Sequence, residues 1–299
     1  MCHDDTSLPQ NIASLLHVFT FTVILADGIF LLFFLLSFAG MHKTLVALSG
    51  LLLAFGLSAV MPEARAQTQV KLFLPENLDS KGNQIPPDNN LLEILAYFER
   101  KANVRFEKLI LPWKRAQVEA LQGNGIVFGL SPTPERLKLY QYSQAVTKQT
   151  VWGITYGKPK PSIKSLEDLR GKIVNVGRGY SYGSTFEAAR NVVFKVQEDG
   201  LFNSARLNKL ISKSNDLILW PVRQFKEARE VEKYVNQLFN EHSGAQGVHF
   251  EVSDQPIFYD TEHFATKKGQ YDDIIAKLDR ALKEGNKNGT LAKLIKAYH

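Results

Sequence analysis

The chain has 299 residues, a formal net charge of +6 at pH 7 and a hydrophobic share of 44%, enough for a proper globular core. Its basic residues do not form runs interleaved with stacking aromatics, which argues against nucleic-acid binding, and no internal repeat or low-complexity tract is present. The only cysteine, Cys2, lies in the leading segment and leaves the rest of the chain without disulfides or thiol chemistry.

Residues 12–38 are mostly apolar, with His17 and Asp27 inside the run, and are long enough to span a membrane. Met41-His42-Lys43 then gives a short basic start, residues 45–60 an apolar stretch, and Ala64-Arg65-Ala66 a small-x-small cleavage signal. This is the layout of a secretory signal peptide over residues 41–66, cut before Gln67. Residues 1–40 admit two readings: a membrane anchor, or an upstream hydrophobic extension of a chain whose translation starts at Met41. Lys43 is the only Lys or Arg before the cleavage signal, so charge bias exports the remainder either way. Removing residues 1–66 takes away Lys43 and Arg65 against Asp4, Asp5, Asp27 and Glu63. The exported part is therefore the more basic, which suits an anionic small ligand.

Residues 70–74 predict a first strand, ended by Pro75, and a polar loop with Gly82 and Pro86-Pro87 follows. Leu91, Leu92, Leu95 and Phe98 recur at helical spacing and predict a helix over 89–102. Val104, Phe106 and Leu109-Ile110-Leu111 make the next strand. Pro112 starts a second helix carrying Trp113, Ala116, Ala120 and Leu121. Ile126-Val127-Phe128 reads as a buried strand that Gly129 lets the chain leave tightly. Strand, helix, strand, helix, strand is a doubly wound α/β pattern. Residues 151–156 form another strand, and Gly157-Lys158-Pro159-Lys160-Pro161 a linker. Ser165 and Asp168 start a short helix that Gly171 stops. Residues 172–176 are a strand, and Gly177-Arg178-Gly179-Tyr180-Ser181-Tyr182-Gly183 leads into a helix over 184–196. That turn lacks the Gly-Lys-Ser/Thr end of a P-loop and misses the dinucleotide spacing by one residue. A helix over 206–213, a strand from Asp216, a helix over 227–239 and extended chain over 248–257 follow. A helix over 271–282, ended by Gly285, Asn288 and Gly289, and a last helix over 290–298 complete the chain.

The chemistry gathers in Leu130-Ser131-Pro132-Thr133-Pro134-Glu135-Arg136. A strand end with two hydroxyls, free helical N–H groups and a guanidinium is a receptor for a carboxylate, because the Arg fork takes both oxygens. Followed by Tyr142-Ser143, this turn resembles the signature of bacterial extracellular solute-binding proteins of the polar amino-acid type. The loop and Pro112-Trp113-Lys114-Arg115 resemble the same family, as does Asn288-Gly289-Thr290 before Tyr298, so the likeness runs from about Val70 to Tyr298. Two positions depart from it: Pro86 stands where the second loop glycine is usual, and Ile126 where an Asp is usual.

The resemblance implies a two-lobed α/β fold of the type II periplasmic-binding-protein kind, with two doubly wound lobes and a hinge of two crossings near Tyr156 and Tyr259. Lobe 1 is expected over residues 67–156 and 260–299, and lobe 2 over 157–259. It implies Arg136, Ser131 and Thr133 on the ligand, Ser181 and Tyr182 closing from lobe 2, and Trp113 as an aromatic plate; a core role for Trp113 stays open. The implied protein is a periplasmic monomer, not an enzyme, that needs no cofactor and serves an ABC-type importer or presents its ligand to a sensor kinase. A dehydratase-type enzyme on the same scaffold would need a tuned acid and base, for which Glu76 and His263 are the candidates. The other His residues of the exported part, His242, His249 and His299, show no metal-ligand spacing with it. An amino-acid ligand also needs an acid for its ammonium group. Counting on from the Asp216 strand reaches Trp220-Pro221-Val222 without a carboxylate. The expected ligand is therefore a small carboxylate whose α-ammonium is not strongly selected, unless Glu76 supplies the acid.

Export is expected to leave Gln67 as the new N-terminus, and intact-mass measurement of the exported protein checks it. A membrane-bound chain that still begins at Met1 would contradict the cleavage.

Overall fold

The computed structural model describes residues 67–299 apart from 80–81, 158–159, 161, 201–202, 224, 244–246 and 297–299, with two short strands nearer the start. Those are β1 (Phe21–Leu25) and β2 (Gly28–Leu32), an antiparallel pair within the expected upstream extension. The expected signal peptide over 41–66 lies outside the described residues. Among the described residues no helix is long and apolar enough to cross a membrane. The chain divides into two compact units, Met1–Arg65 and Ala66–His299.

The second unit opens with β3 (Thr68–Pro75), followed by β4 (Asn77–Leu78) and β5 (Gln84–Ile85), a small antiparallel pair in the polar loop. Helix α1 (Asn89–Ala102) has the expected bounds because both its ends are marked. Asp88 accepts from the Leu91 N–H at 2.7 Å, and Asn103 stops the helix in the left-handed region. Next come β6 (Val104–Leu111), α2 (Trp113–Leu121), β7 (Ile126–Phe128), α3 (Pro134–Leu139) and β8 (Tyr140–Tyr142). Ile126 is wholly buried opposite Leu72 of β3, so a carboxylate here would be stranded in the core.

The chain then builds a second sheet from β9 (Thr147–Tyr156), a 3-10 turn at Leu166–Leu169, β10 (Ile173–Gly177), α4 (Ser184–Ala189) and β11 (Lys195–Asp199). It continues through α5 (Asn203–Ile211), β12 (Leu217–Val222), α6 (Ala228–Ser243), β13 (Phe250–Val252) and β14 (Phe258–Glu262). Last come β15 (Phe264–Lys267), α7 (Asp272–Lys287) and α8 (Thr290–Lys296). The first sheet has the order β6-β3-β7-β15-β8; the second has β11-β10-β12-β9-β13, with β14 also on β9. β6, β3 and β7 run parallel, as do β11, β10 and β12, while the strands that join the two sheets run antiparallel.

Three expectations change. The helix expected over 184–196 stops at Ala189. Asn191 turns left-handed, Val192 and Val193 fold back onto the Ala189 carbonyl, the Asn191 side chain takes the Val196 N–H at 3.1 Å, and edge strand β11 begins at Lys195. β9 and β14 both belong to the second sheet, so the chain changes sheet between Tyr142 and Thr147 and returns between Glu262 and Phe264. These points lie before Tyr156 and beyond Tyr259. The two crossings run side by side: Val146 N–H donates to the Glu262 carbonyl at 2.8 Å and Ser143 N–H to the Phe264 carbonyl at 2.9 Å. With β8 on β15 and β9 on β14, they form one antiparallel ribbon threading both sheets.

Finally, Gly285 does not end α7; it is buried inside the helix. A Cβ there would lie 2.5 Å from the Tyr97 hydroxyl and 2.6 Å from Leu291 Cγ, so the missing side chain lets α1 and α8 pack close. An alanine in an exposed helix would stabilise by about 1 kcal/mol over glycine. Gly285→Ala is instead expected to destabilise by about 1–3 kcal/mol through overpacking, read as a lower urea midpoint.

Candidate functional site

β7 delivers the chain to Gly129, whose φ of +93° turns it out of the sheet and whose N–H donates to the His263 carbonyl at 3.0 Å. Thr133 then caps α3, accepting from the Arg136 N–H at 3.2 Å, with Pro134 opening the helix. The Thr133 hydroxyl is thereby used within the turn. Ser131 turns its hydroxyl away from Arg136 and donates to Asp260 of β14 at 2.6 Å.

Arg136 is the centre of this arrangement. Its Nη1 donates to the Ser131 carbonyl at 3.0 Å, and its Nη2 to Gln117 Oε1 at 3.1 Å and to the Gly179 carbonyl at 3.0 Å. Gln117 Nε2 donates to that same carbonyl at 3.0 Å. Ser131 and Gln117 belong to the first-sheet half, Gly179 to the loop after β10, so this guanidinium sits where the halves meet. All three acceptors are neutral. Burial pushes its pKa down, partly offset by Tyr142, Tyr140, Glu187 and Asp260 nearby. Among the described residues it has no carboxylate within ion-pair distance.

The ribbon presents a polar strip to this junction. Asp260 and Glu262 alternate onto one face of β14, and their cross-strand partners on β9 are Gln149 and Thr147. Gln149 Nε2 donates to Asp260 at 2.9 Å, and the Thr147 hydroxyl to Glu262 Oε2. Arg223, the residue after β12, forks onto Glu262 with Nε on Oε2 and Nη2 on Oε1. Burial alone would raise the Glu262 carboxyl, but the charge and hydrogen bonds of Arg223, with the Thr147 hydroxyl, hold it below the usual range. Asp260 lacks such a partner, and burial raises it despite Ser131 and Gln149. His263, on the other face, gives its Nδ1–H to the Ser143 carbonyl at 2.8 Å, leaving Nε2 to accept from the Thr261 hydroxyl at 2.9 Å.

Aromatic rings close the arrangement. Trp113 is buried and meets Tyr180 edge-on at 6.1 Å, and Tyr180 meets Tyr182 at 6.3 Å. Trp113 also packs with Phe73, Val127 and Leu130, so it serves the core while its ring touches the loop of the second half. Ser181 Oγ and Tyr182 Oη are buried without a hydrogen-bond partner. Such groups cost free energy unless something donates to or accepts from them. Glu76 stands apart: its N–H bonds the Leu111 carbonyl at 2.9 Å, and no hydrogen bond among the described residues links its carboxylate to the others. Elsewhere, on α6 and β13, Glu232 and Glu251 each approach His249 Nε2 at 3.5 Å.

Gln117, Gln149, Gly179, Arg223, Asp260 and Glu262 were not among the residues singled out from sequence. Nothing local in Asp260-Thr261-Glu262-His263 marks its carboxylates as buried, because their partners Ser131, Thr147, Gln149 and Arg223 are remote in the chain. One signal was available: two acids spaced by two residues beside the expected hinge share a face whenever the segment is extended.

No family model matches the chain, and no curated protein matches it. Solved structures do. The P235GK mutant of ArgBP from T. maritima superposes with a TM-score of 0.56 at 16% identity, over 79% of this chain and 97% of its own. An ancestral arginine-binding protein bound to glutamine gives 0.56 at 21% identity, over 77% and 97%. The amino acid ABC transporter substrate-binding protein AbpA from Streptococcus pneumoniae, bound to L-arginine, gives 0.56 at 17% identity, over 78% and 95%. The fold is that of the type II periplasmic binding proteins. Two mixed sheets joined by a double crossing are its architecture, and the Arg136 junction lies beside that crossing.

Glu262→Gln is expected to destabilise by about 1–3 kcal/mol at neutral pH, because the half-buried Arg223 loses its counter-charge while keeping some contact with water. The folded state holds Glu262 below its unfolded value, so its contribution is present above about pH 4.3 and is lost as pH falls through the lower folded value. The gap between wild type and variant in urea unfolding should therefore narrow at acid pH.

Proposed function

We propose that this chain is an exported solute-binding protein that captures a small carboxylate-bearing, amino-acid-like molecule between two lobes and delivers it to an ABC-type importer. One observation carries the reading: a half-buried guanidinium, Arg136, whose partners among the described residues are all neutral, placed where the two halves meet. A buried cation without a counter-charge is costly, and an anion bound at the junction relieves that cost. The unpartnered hydroxyls of Ser181 and Tyr182 and the edge of Trp113 offer the ligand further contacts from both sides. The fold supports the reading too, since AbpA, ArgBP and a probable amino-acid ABC transporter extracellular-binding protein, YtmK from Bacillus subtilis, share it.

A thermal-shift panel of small carboxylates identifies ligands, because a compound at about 100 times its dissociation constant adds about 2.7 kcal/mol. Arg136→Lys is then expected to weaken the best compound at least about tenfold by calorimetry, since a point charge cannot replace the fork. Unchanged affinity would place the carboxylate elsewhere.

A further inference from the structure

A zwitterionic amino acid brings a cation as well as an anion, and a buried ammonium needs an acceptor of opposite charge. Several carboxylates lie near the junction. Asp260 takes Ser131 at 2.6 Å and Gln149 at 2.9 Å. Glu198 takes the Gly179 N–H at 3.3 Å and Arg190. Glu187 lies 3.5 Å from Arg190, and its Oε1 is buried without a hydrogen-bond partner among the described residues, so it is the rival acceptor. Glu262 is the best placed: a Cβ on Gly129 would stand 3.6 Å from its Oε1 and 4.0 Å from the Trp113 ring, so it borders the carboxylate-reading turn. Both its oxygens are taken by Arg223, and Oε2 also by Thr147. Arg223 belongs to the second half, directly after the strand in which no carboxylate is found. The junction thus carries its own cation in a fork that a ligand ammonium, a single point donor, cannot match.

We propose that Arg223 is the specificity-determining residue of this site: as the built-in counter-cation of Glu262 it occupies the place of a ligand's α-ammonium, so the site selects small carboxylates that lack an α-amino group. This rests on the reading of Arg136 as the carboxylate receptor.

The test is calorimetry with matched pairs, each common L-amino acid against the acid that lacks only its α-amino group. Wild type is expected to bind at least one deaminated acid, and to bind it at least about tenfold more tightly than its amino acid. Arg223→Met frees Glu262 and is expected to reverse that order, while Arg223→Met/Glu262→Gln removes the freed acceptor and abolishes the reversal. Circular dichroism and thermal midpoints establish that each variant is folded. Should Arg223→Met not fold, Arg223→Lys decides instead, since a single point donor leaves one Glu262 oxygen for the ammonium and should narrow the preference at least about threefold, and an unchanged preference overturns the proposal. A wild-type preference for the amino acid overturns the proposal, and its loss in Glu187→Gln or in Glu76→Gln would name the acceptor used instead. A folded Arg223→Met with unchanged preference, or a reversal that survives in the double variant, overturns it equally. If neither member of any pair binds, or binding ignores Arg136→Lys, the carboxylate-receptor reading itself fails.

Discussion

Two antiparallel crossings, hydrogen-bonded to each other from Tyr140 through Val151 on one strand and Phe258 through Lys267 on the other, carry the chain between its two sheets. Everything at the junction is positioned from this ribbon. Its alternation puts Thr147, Gln149, Asp260 and Glu262 on one face, and burying two carboxylates there demands partners. Ser131 and Gln149 answer for Asp260, Thr147 and Arg223 for Glu262. Those partners come from the turn before α3, from the ribbon itself and from the end of β12. One face of one ribbon therefore fixes how the carboxylate-reading turn and the second sheet stand together.

Much of the fold was legible in the sequence where local signals agree. α1 combines an apolar stripe with Asp88 and Asn103 at its ends, and β7 is apolar throughout because it lies in mid-sheet. The turn from Gly129 to Arg136 was legible as chemistry, although the structure spends the Thr133 and Ser131 hydroxyls on capping and on Asp260. Where local signals compete, the reading failed. Residues 184–196 carry enough apolar residues for a helix, but the left-handed turn at Asn191 ends it, and the chain leaves that turn as a strand. Gly285 looked like a helix end because glycine usually marks one, whereas here it marks close packing. The acids of β14 were invisible for another reason: a charged residue looks solvated until its remote partner is known.

The likeness to solved binding proteins, 16 to 21% identical in the cases above, shows how far a fold persists after its sequence has drifted. Ile126 illustrates the drift. An acid is usual there, but in this chain the position is sealed in the core opposite Leu72, and the strand keeps its place by packing alone. Directly after β12 stands an arginine whose counter-charge lies on the ribbon.

The carbonyl of Gly179 accepts from both Arg136 and Gln117. It is a resident competitor for the guanidinium, and any incoming group must outbid it. The bond to this carbonyl is already charge-assisted through the guanidinium, but a carboxylate adds the opposite charge and can take two parallel N–H bonds, so it is the acceptor best able to win that exchange. An amide or ester oxygen would trade one neutral acceptor for another and gain little. On the proposed reading of Arg136, the backbone oxygen thereby sets a threshold that favours charged acceptors. Gly179 itself has a φ of +75°, and a Cβ there would stand 3.2 Å from Gln117 Nε2, so a side chain at this position would push the competitor away and lower the threshold.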